Sequence, residues 1–424
     1  MNCLKLLAAA SLIATISNAF SYDVVDRYKL IDDKLKTEEM LEPIGHDFFL
    51  DVGATANKNL TSFIDDIQKA SKFEGTSQAK LTNAQTVLAK YDKTEQTVKV
   101  NLALGFPIFR FSIGDLKIQP NVRVFADVGA NIGIRSDKIT ADTIFDLINI
   151  ELPATLKTVI RGGFNSYVKG DDILAPASNP NLCTTSGFDI TVQTACLDSK
   201  AKYFFPDTTV PDMFLFAKVD GRVGIYNDYT YGEHFFGNWN IYGLSRTDIF
   251  QRVNSSMIAN GTKIDLPKKK NTEMALDTDF RVGYNNANYR VFASVEDMKL
   301  SKLKDRSSES KALSYGYDPL MRLHAEAVFR LSALSLTPFV GFHKRAGYGF
   351  SDGMYAGADA GAHVWGDRLG LQLRGMADKQ YITLSPRLKL WLLQLEYSLK
   401  KPLKSMDGDV KLSALHSIDL RLFF

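Results

Sequence analysis

The residues able to do chemistry in this 424-residue chain form a pattern rather than a motif. Six histidines, His46, His234, His324, His343, His363 and His416, are scattered. No two stand at zinc-ligand spacing and no Glu-x-x-His helix accompanies them, so no metal and no cofactor is expected. Gly105 and Gly114 belong to no phosphate-binding loop. Ester hydrolysis would need at least a Ser–His pair. His416 near Ser413 has no supporting motif, so a solvated or interfacial imidazole is expected, and no enzymatic activity. What remains is a set of charges at two-residue spacing: Lys99, Arg123 and Asp127; Lys218, Asp220 and Arg222; Asp277, Asp279 and Arg281; Arg322, Glu326 and Arg330; Asp359 and Arg374. Such groups could line a wet interior whose field orients solutes, or could fill it with cross-strand ion pairs. Basic groups slightly outnumber acidic ones, which gives a weak anion preference as the expectation.

Strands must position these charges, because successive strand side chains point to opposite faces. Val122, Val124, Ala126, Val128, Ala130, Ile132 and Ile134 alternate with Arg123, Asp127, Asn131 and Arg135. Met213, Leu215, Ala217, Val219, Val223 and Ile225 face away from Lys218, Asp220 and Arg222, and Met274 to Tyr284 repeat the pattern against Asp277, Asp279 and Arg281. The runs exceed the soluble mode of about five or six residues and reach the roughly 9–11 of a tilted bilayer-crossing strand. Turn parity agrees: Gly114-Asp115, Asn285-Asn286, Ser332-Ala333 and Trp391-Leu392 each join two apolar residues, as a two-residue hairpin requires. A four-residue loop, Trp365 to Arg368, does the same for Val364 and Leu369. The strands expected are 46–57, 96–113, 116–135, 212–226, 236–247, 273–284, 287–303, 318–331, 334–345, 353–364, 369–378, 380–390, 393–401 and 409–424. The fold class is therefore all-β: a transmembrane antiparallel barrel of about 14 strands, with short helices in the N-terminal segment and loops.

Composition agrees. Lys plus Arg is 51 against 48 for Asp plus Glu, too balanced for a nucleic-acid binder. A mean hydropathy of -0.12 excludes a polytopic helical membrane protein. Met1 to Lys5 is a basic head, Leu6 to Ile16 a short apolar core, and Ser17-Asn18-Ala19 a peptidase site, so 1–19 reads as an export signal. After it only Cys183 and Cys196 remain, and two thiols in an exported chain read as one disulfide stapling a loop. The expected domains are a plug or periplasmic segment over 20–45 and the barrel over 46–424, with long connections at 58–95, 136–211 and 248–272. Leu60, Phe63, Ile64 and Ile67, then Leu81, Ala84, Leu88 and Tyr91, have helical spacing on either side of Gly75.

The chain ends with Ile418, Leu420, Leu422 and Phe424 alternating with Asp419, Arg421 and Phe423. An amphipathic last strand closing on Phe resembles the insertion signal of Gram-negative outer-membrane barrels, which implies handling by the barrel-assembly machinery. With the export signal, alternation and turn parity, the chain resembles porin-like outer-membrane barrels. In architecture it is similar to the 14-stranded long-chain fatty-acid transporter and TraF-like barrels, although their Asn-Pro-Ala plug step is absent. The resemblance implies a multi-pass barrel in contact with outer-membrane lipid and lipopolysaccharide. Its long connections would face outward, and Trp239, Trp365 and Trp391 with Tyr226, Tyr229 and Tyr231 would form a periplasmic aromatic belt. The function expected is a channel passing small polar or charged solutes. The alternatives are a plugged structural or adhesive surface barrel and a hydrophobic-substrate transporter.

Overall fold

A computed structural model of the protein describes residues 24–41, 48–135, 141, 154–168, 171–173, 211–261, 270–304, 318–331, 334–364 and 369–423. The export signal, Cys183, Cys196, Phe424, Ser332-Ala333 and the Trp365 loop lie outside these residues, as does most of 136–211.

Fourteen antiparallel strands form a closed up-and-down barrel. They are β1 (Phe49–Asn57), β2 (Glu95–Pro107, resuming over Phe111–Ile113), β3 (Leu116–Arg135), β4 (Asp212–Tyr231), β5 (Phe235–Val253), β6 (Lys270–Asn285) and β7 (Tyr289–Lys304). There follow β8 (Leu320–Ala327, resuming over Phe329–Leu331), β9 (Leu334–Lys344), β10 (Met354–Val364), β11 (Leu369–Asp378), β12 (Tyr381–Leu390), β13 (Leu393–Pro402) and β14 (Leu415–Phe423). Each strand pairs with its chain neighbour, and β14 closes on β1 from Phe49↔Phe423 to Asn57↔Leu415. Closure removes the unpaired edges that a bilayer would not tolerate.

The faces divide as the alternation requires. Val219, Val223 and Ile225 point outward and are about half exposed, whereas Lys218 and Asp220 between them are buried inside. On β14, Ile418 and Leu420 are exposed outward and Arg421 is buried inward. No described helix is long and apolar enough to cross a membrane.

Several expected boundaries shift. The hairpin after β6 turns on Ala287-Asn288, since the Asn286 amide bonds Tyr289 O and Asn285 pairs with Arg290. The Asn286 side chain caps this turn by accepting from the amides of Asn288 and Tyr289. The turn lies two residues beyond Asn285-Asn286, and an even displacement leaves every face unchanged. Strands β4 and β5 run on to Tyr231 and Val253, so the connection between β5 and β6 covers 254–269 rather than 248–272. Val410–Lys411 pairs with Met406–Asp407 in a separate hairpin, so β14 begins at Leu415 rather than 409. Tyr226 is not in an outer belt: its even position points inward, where it is buried beside Tyr242.

Strands β3, β4 and β5 have 20, 20 and 19 residues, about twice what a bilayer needs. Their surplus ends are covered by helices α2 (Leu60–Ser71), α3 (Ser77–Lys90) and a short helix, Ser255–Ala259. Phe63, Leu81, Leu88, Met257 and Ile258 pack there against Ile134, Met213 and Val253. Outward apolar residues are thus buried by protein at this end. Both helices expected on either side of Gly75 are present, and they form a cap at the end of the long connections.

Candidate functional site

The lumen holds helix α1, Val24–Leu41. Its sequence carries charge on every side: Asp26, Arg27, Lys29, Asp32, Asp33, Lys34, Lys36, Glu38 and Glu39. A helix with so much charge is not expected to bury itself, yet Asp32, Asp33, Lys34 and Thr37 are buried along with Val24, Tyr28, Ile31 and Leu35. The reason is the wall, whose inward face is itself ionic.

The first cluster centres on Asp32. Its carboxylate meets Lys99 of β2 and Lys218 of β4 at 3.1 Å each, and Lys36 at 3.0 Å. Asp127 of β3 stands 3.4 Å from Lys99 and 3.5 Å from Lys218. Asp220 adds a bond to Lys218 at 3.0 Å and takes Arg246 of β5 at 2.7 Å. Above this cluster, Tyr28 packs on Phe216 with ring centres 5.4 Å apart.

The second cluster centres on Arg345, just beyond β9. Its guanidinium reaches Asp33 at 3.0 Å and Asp297 at 2.6 Å, and Arg222 meets the same Asp297 at 3.1 Å. Tyr348 donates to Asp33 at 3.0 Å. Asp279 accepts from Tyr242 at 2.9 Å and from the Asp297 amide at 2.8 Å.

The remaining contacts close the circle. Lys34 meets Asp378 of β11 at 2.7 Å, and Glu38 pairs with Lys400 of β13. Arg374 holds Asp359 at 2.9 Å and donates to the carbonyls of Glu38 and Leu41 at 3.2 and 2.8 Å. Arg322 of β8 bonds Thr37 and lies 3.1 Å from Glu296. Because partners come from β2, β4, β8, β11 and β13, the helix spans the cross-section rather than leaning on one wall.

The helix also has a direction. Val24 O accepts from Asn131 near the loop end of β3, and Arg27 bonds Glu95 and Asp407 at the same end. Leu41 lies deeper, against Phe339, Tyr355 and Met376. At the loop end a cavity of about 400 Å³, lined by Asp26, Arg27, Lys379, Asp407 and Asp409, opens over the first turn. There the Asp407 carboxyl would be raised by partial burial, but the Arg27 hydrogen bond and charge prevail and hold it below the usual range.

The expected lumen residues therefore separate into two levels. Lys99, Asp127, Lys218, Asp220, Arg222, Arg322, Asp359 and Arg374 join the helix networks, and Asp277 and Asp279 face inward beside them. Arg123, Arg281, Glu326 and Arg330 lie nearer the short-turn end. Arg123 pairs with Asp228 at 2.9 Å over the rings of Phe49 and Tyr226.

Sequence reading missed Asp32, Asp33, Asp297 and Arg345. The first two lie on a helix whose apolar residues, Val24, Tyr28, Ile31 and Leu35, are interspersed with charge. Asp297 sits at a register irregularity of β7 with φ 58°, and Arg345 follows its strand. The apolar residues of 24–35 gave the expectation of a plug or periplasmic segment, and the density of charge in 26–39 was a signal for an ionic seat.

No group of metal-ligating side chains occurs among the described residues. His416 contacts the Tyr397 hydroxyl at 2.6 Å, and among the described residues no serine hydroxyl bonds its ring.

No family model matches the chain, and no curated protein matches it. Solved structures similar in strand arrangement include the transport unit of the autotransporter AIDA-I from Escherichia coli, at 8% identity, 95% of this chain, 99% of that one and TM-score 0.36. The P. putida toluene transporter TodX gives 10%, 91%, 91% and 0.32. The outer membrane phospholipase A from Escherichia coli gives 10%, 94%, 97% and 0.25. The class defined by the fold is that of the closed 14-stranded outer-membrane-type barrel with an occupied lumen.

Proposed function

We propose that the protein is an outer-membrane channel for small polar or charged solutes that α1 holds shut at rest. The observation that carries this reading is the nature of the plug's contacts. Helix and wall meet through many ion pairs, such as Asp32–Lys218 and Asp33–Arg345, beside small apolar contacts of Tyr28 with Phe216 and of Ile31 and Leu35 with Tyr381 and Leu415. Ionic partners can be exchanged for water and for passing ions, whereas an apolar seam would have to be opened against the hydrophobic effect. The same reading puts the apolar belt against outer-membrane lipid and lipopolysaccharide, and the terminal strand before the barrel-assembly machinery. The long connections would then face outward.

Planar-bilayer recording tests it. The intact protein should conduct rarely, and deletion of residues 24–41 should give a steady open channel. Silence after that deletion, with the barrel still folded, favours a plugged surface barrel acting through its cap. The observation behind that second reading is the apolar packing of α2, α3 and Ser255–Ala259 on the strand ends. Hydrophobic transport has less support, because the lumen at helix level is ionic.

A further inference from the structure

Beyond the plug, the lumen wall near the short-turn end carries a cluster that takes no part in holding α1. Arg281 of β6 and Arg290 of β7 both lie over the ring of Phe292, their guanidinium carbons 4.8 and 5.6 Å from its centre. Arg290 also covers Phe236 of β5 at 4.6 Å. Two like charges therefore share one ring, although their mutual repulsion opposes that placement. Carboxylates offset it only in part: Glu296 and Asp228 attract Arg281 from beyond ion-pair distance. Glu326 stands 3.9 Å from Arg290 and is already engaged by His324 Nε2 at 3.1 Å. Arg281 has no carboxylate at ion-pair distance among the described residues, and its buried Nε meets no acceptor there. A guanidinium cannot shed its proton, and a buried charge without a partner is costly.

We propose that this cluster is a lumenal binding site for an oxyanion, the carboxylate or phosphate that a pair of guanidinium forks recognises. The rings of Phe292 and Phe236 hold the two forks in place, and the anion supplies the direct partner that Arg281 lacks among the described residues. The site deepens the channel reading by naming the chemistry of the solute at the short-turn mouth. It lies apart from the helix contacts, so it can bind whether or not the plug moves.

Calorimetric titration of the full-length protein in detergent tests it, with inorganic phosphate in one arm and benzoate in the other. Saturable binding of either is expected, and the arm that saturates at lower concentration identifies the anion class. Arg281→Gln should weaken binding by about tenfold or more, and Arg281→Lys less, since charge survives without the fork. Arg290→Gln, at a partly exposed position, serves if Arg281→Gln does not fold, as judged by heat-modifiable mobility on a gel. Absence of heat with both anions overturns the proposal, as does unchanged affinity in the folded Gln variants. Binding without conductance in the helix deletion would overturn the channel reading and leave the site standing.

Discussion

The phenol oxygen of Tyr28 occupies the space in which a side chain at Gly129 would begin. The wall of β3 thus has a notch where the helix presses closest. The notch depends on glycine for its lack of a Cβ, and not for an unusual backbone angle.

Gly129→Ala should therefore push Tyr28 off the wall. Overpacking of this kind costs about 1–3 kcal/mol. Bilayer recordings should show more frequent opening, and Gly129→Ala combined with Tyr28→Ala should restore the quiet state. Unchanged gating in the single variant would mean that the helix yields without leaving.

Asp32→Asn removes one carboxylate that faces Lys36, Lys99 and Lys218. Breaking a buried pair from one side costs about 3–5 kcal/mol, because the remaining charges stay buried. The expected result is a raised open probability with the barrel still heat-modifiable. A lowered thermal midpoint without opening would assign Asp32 to barrel stability alone.

The Arg27–Asp407 tie sets a pH dependence. The Asp407 carboxyl is held below its ordinary value: burial opposes ionisation and the Arg27 bond outweighs it. A depressed carboxylate contributes its stabilisation above the unfolded value of about 4 and loses it as pH falls through the lowered one. Openings driven by release of the helix's first turn should therefore rise only in acid, below about pH 4. In Asp407→Asn they should be frequent at neutral pH already. A transition near neutral pH in the parent protein would point to another group.

Ion selectivity follows from the short-turn half of the lumen, where Arg281, Arg290 and Arg330 meet few carboxylates. With residues 24–41 deleted, the reversal potential in a salt gradient should show a weak preference for anions. A preference for cations would mean that Asp228 and Glu326 govern passage instead.

The sequence by itself determined the barrel. A period of two, kept through even-length turns, fixes which residues face lipid, and the fourteen strands follow from it. Even the turn misplaced by two residues after β6 left Val291 and Tyr284 on the same face, since only an odd shift exchanges faces. Local pattern also gave the existence of α2 and α3, whereas their seat as a cap on the strand ends came from the fold. What only the tertiary structure decided is the content of the lumen. The apolar residues of α1, among them Val24, Tyr28, Ile31 and Leu35, fit a plug and a periplasmic helix equally, and only the fold seats them on Phe216, Tyr381 and Leu415. The helix's ionic partners, from Lys99 to Lys400, are distant in the chain and come together only when β14 meets β1. Asp297 and Arg345 escaped for a related reason: a strand irregularity and a strand end free them from the two-residue rule, and the tertiary fold brings Arg345 to Asp33 and Asp297 to Arg222 and Arg345.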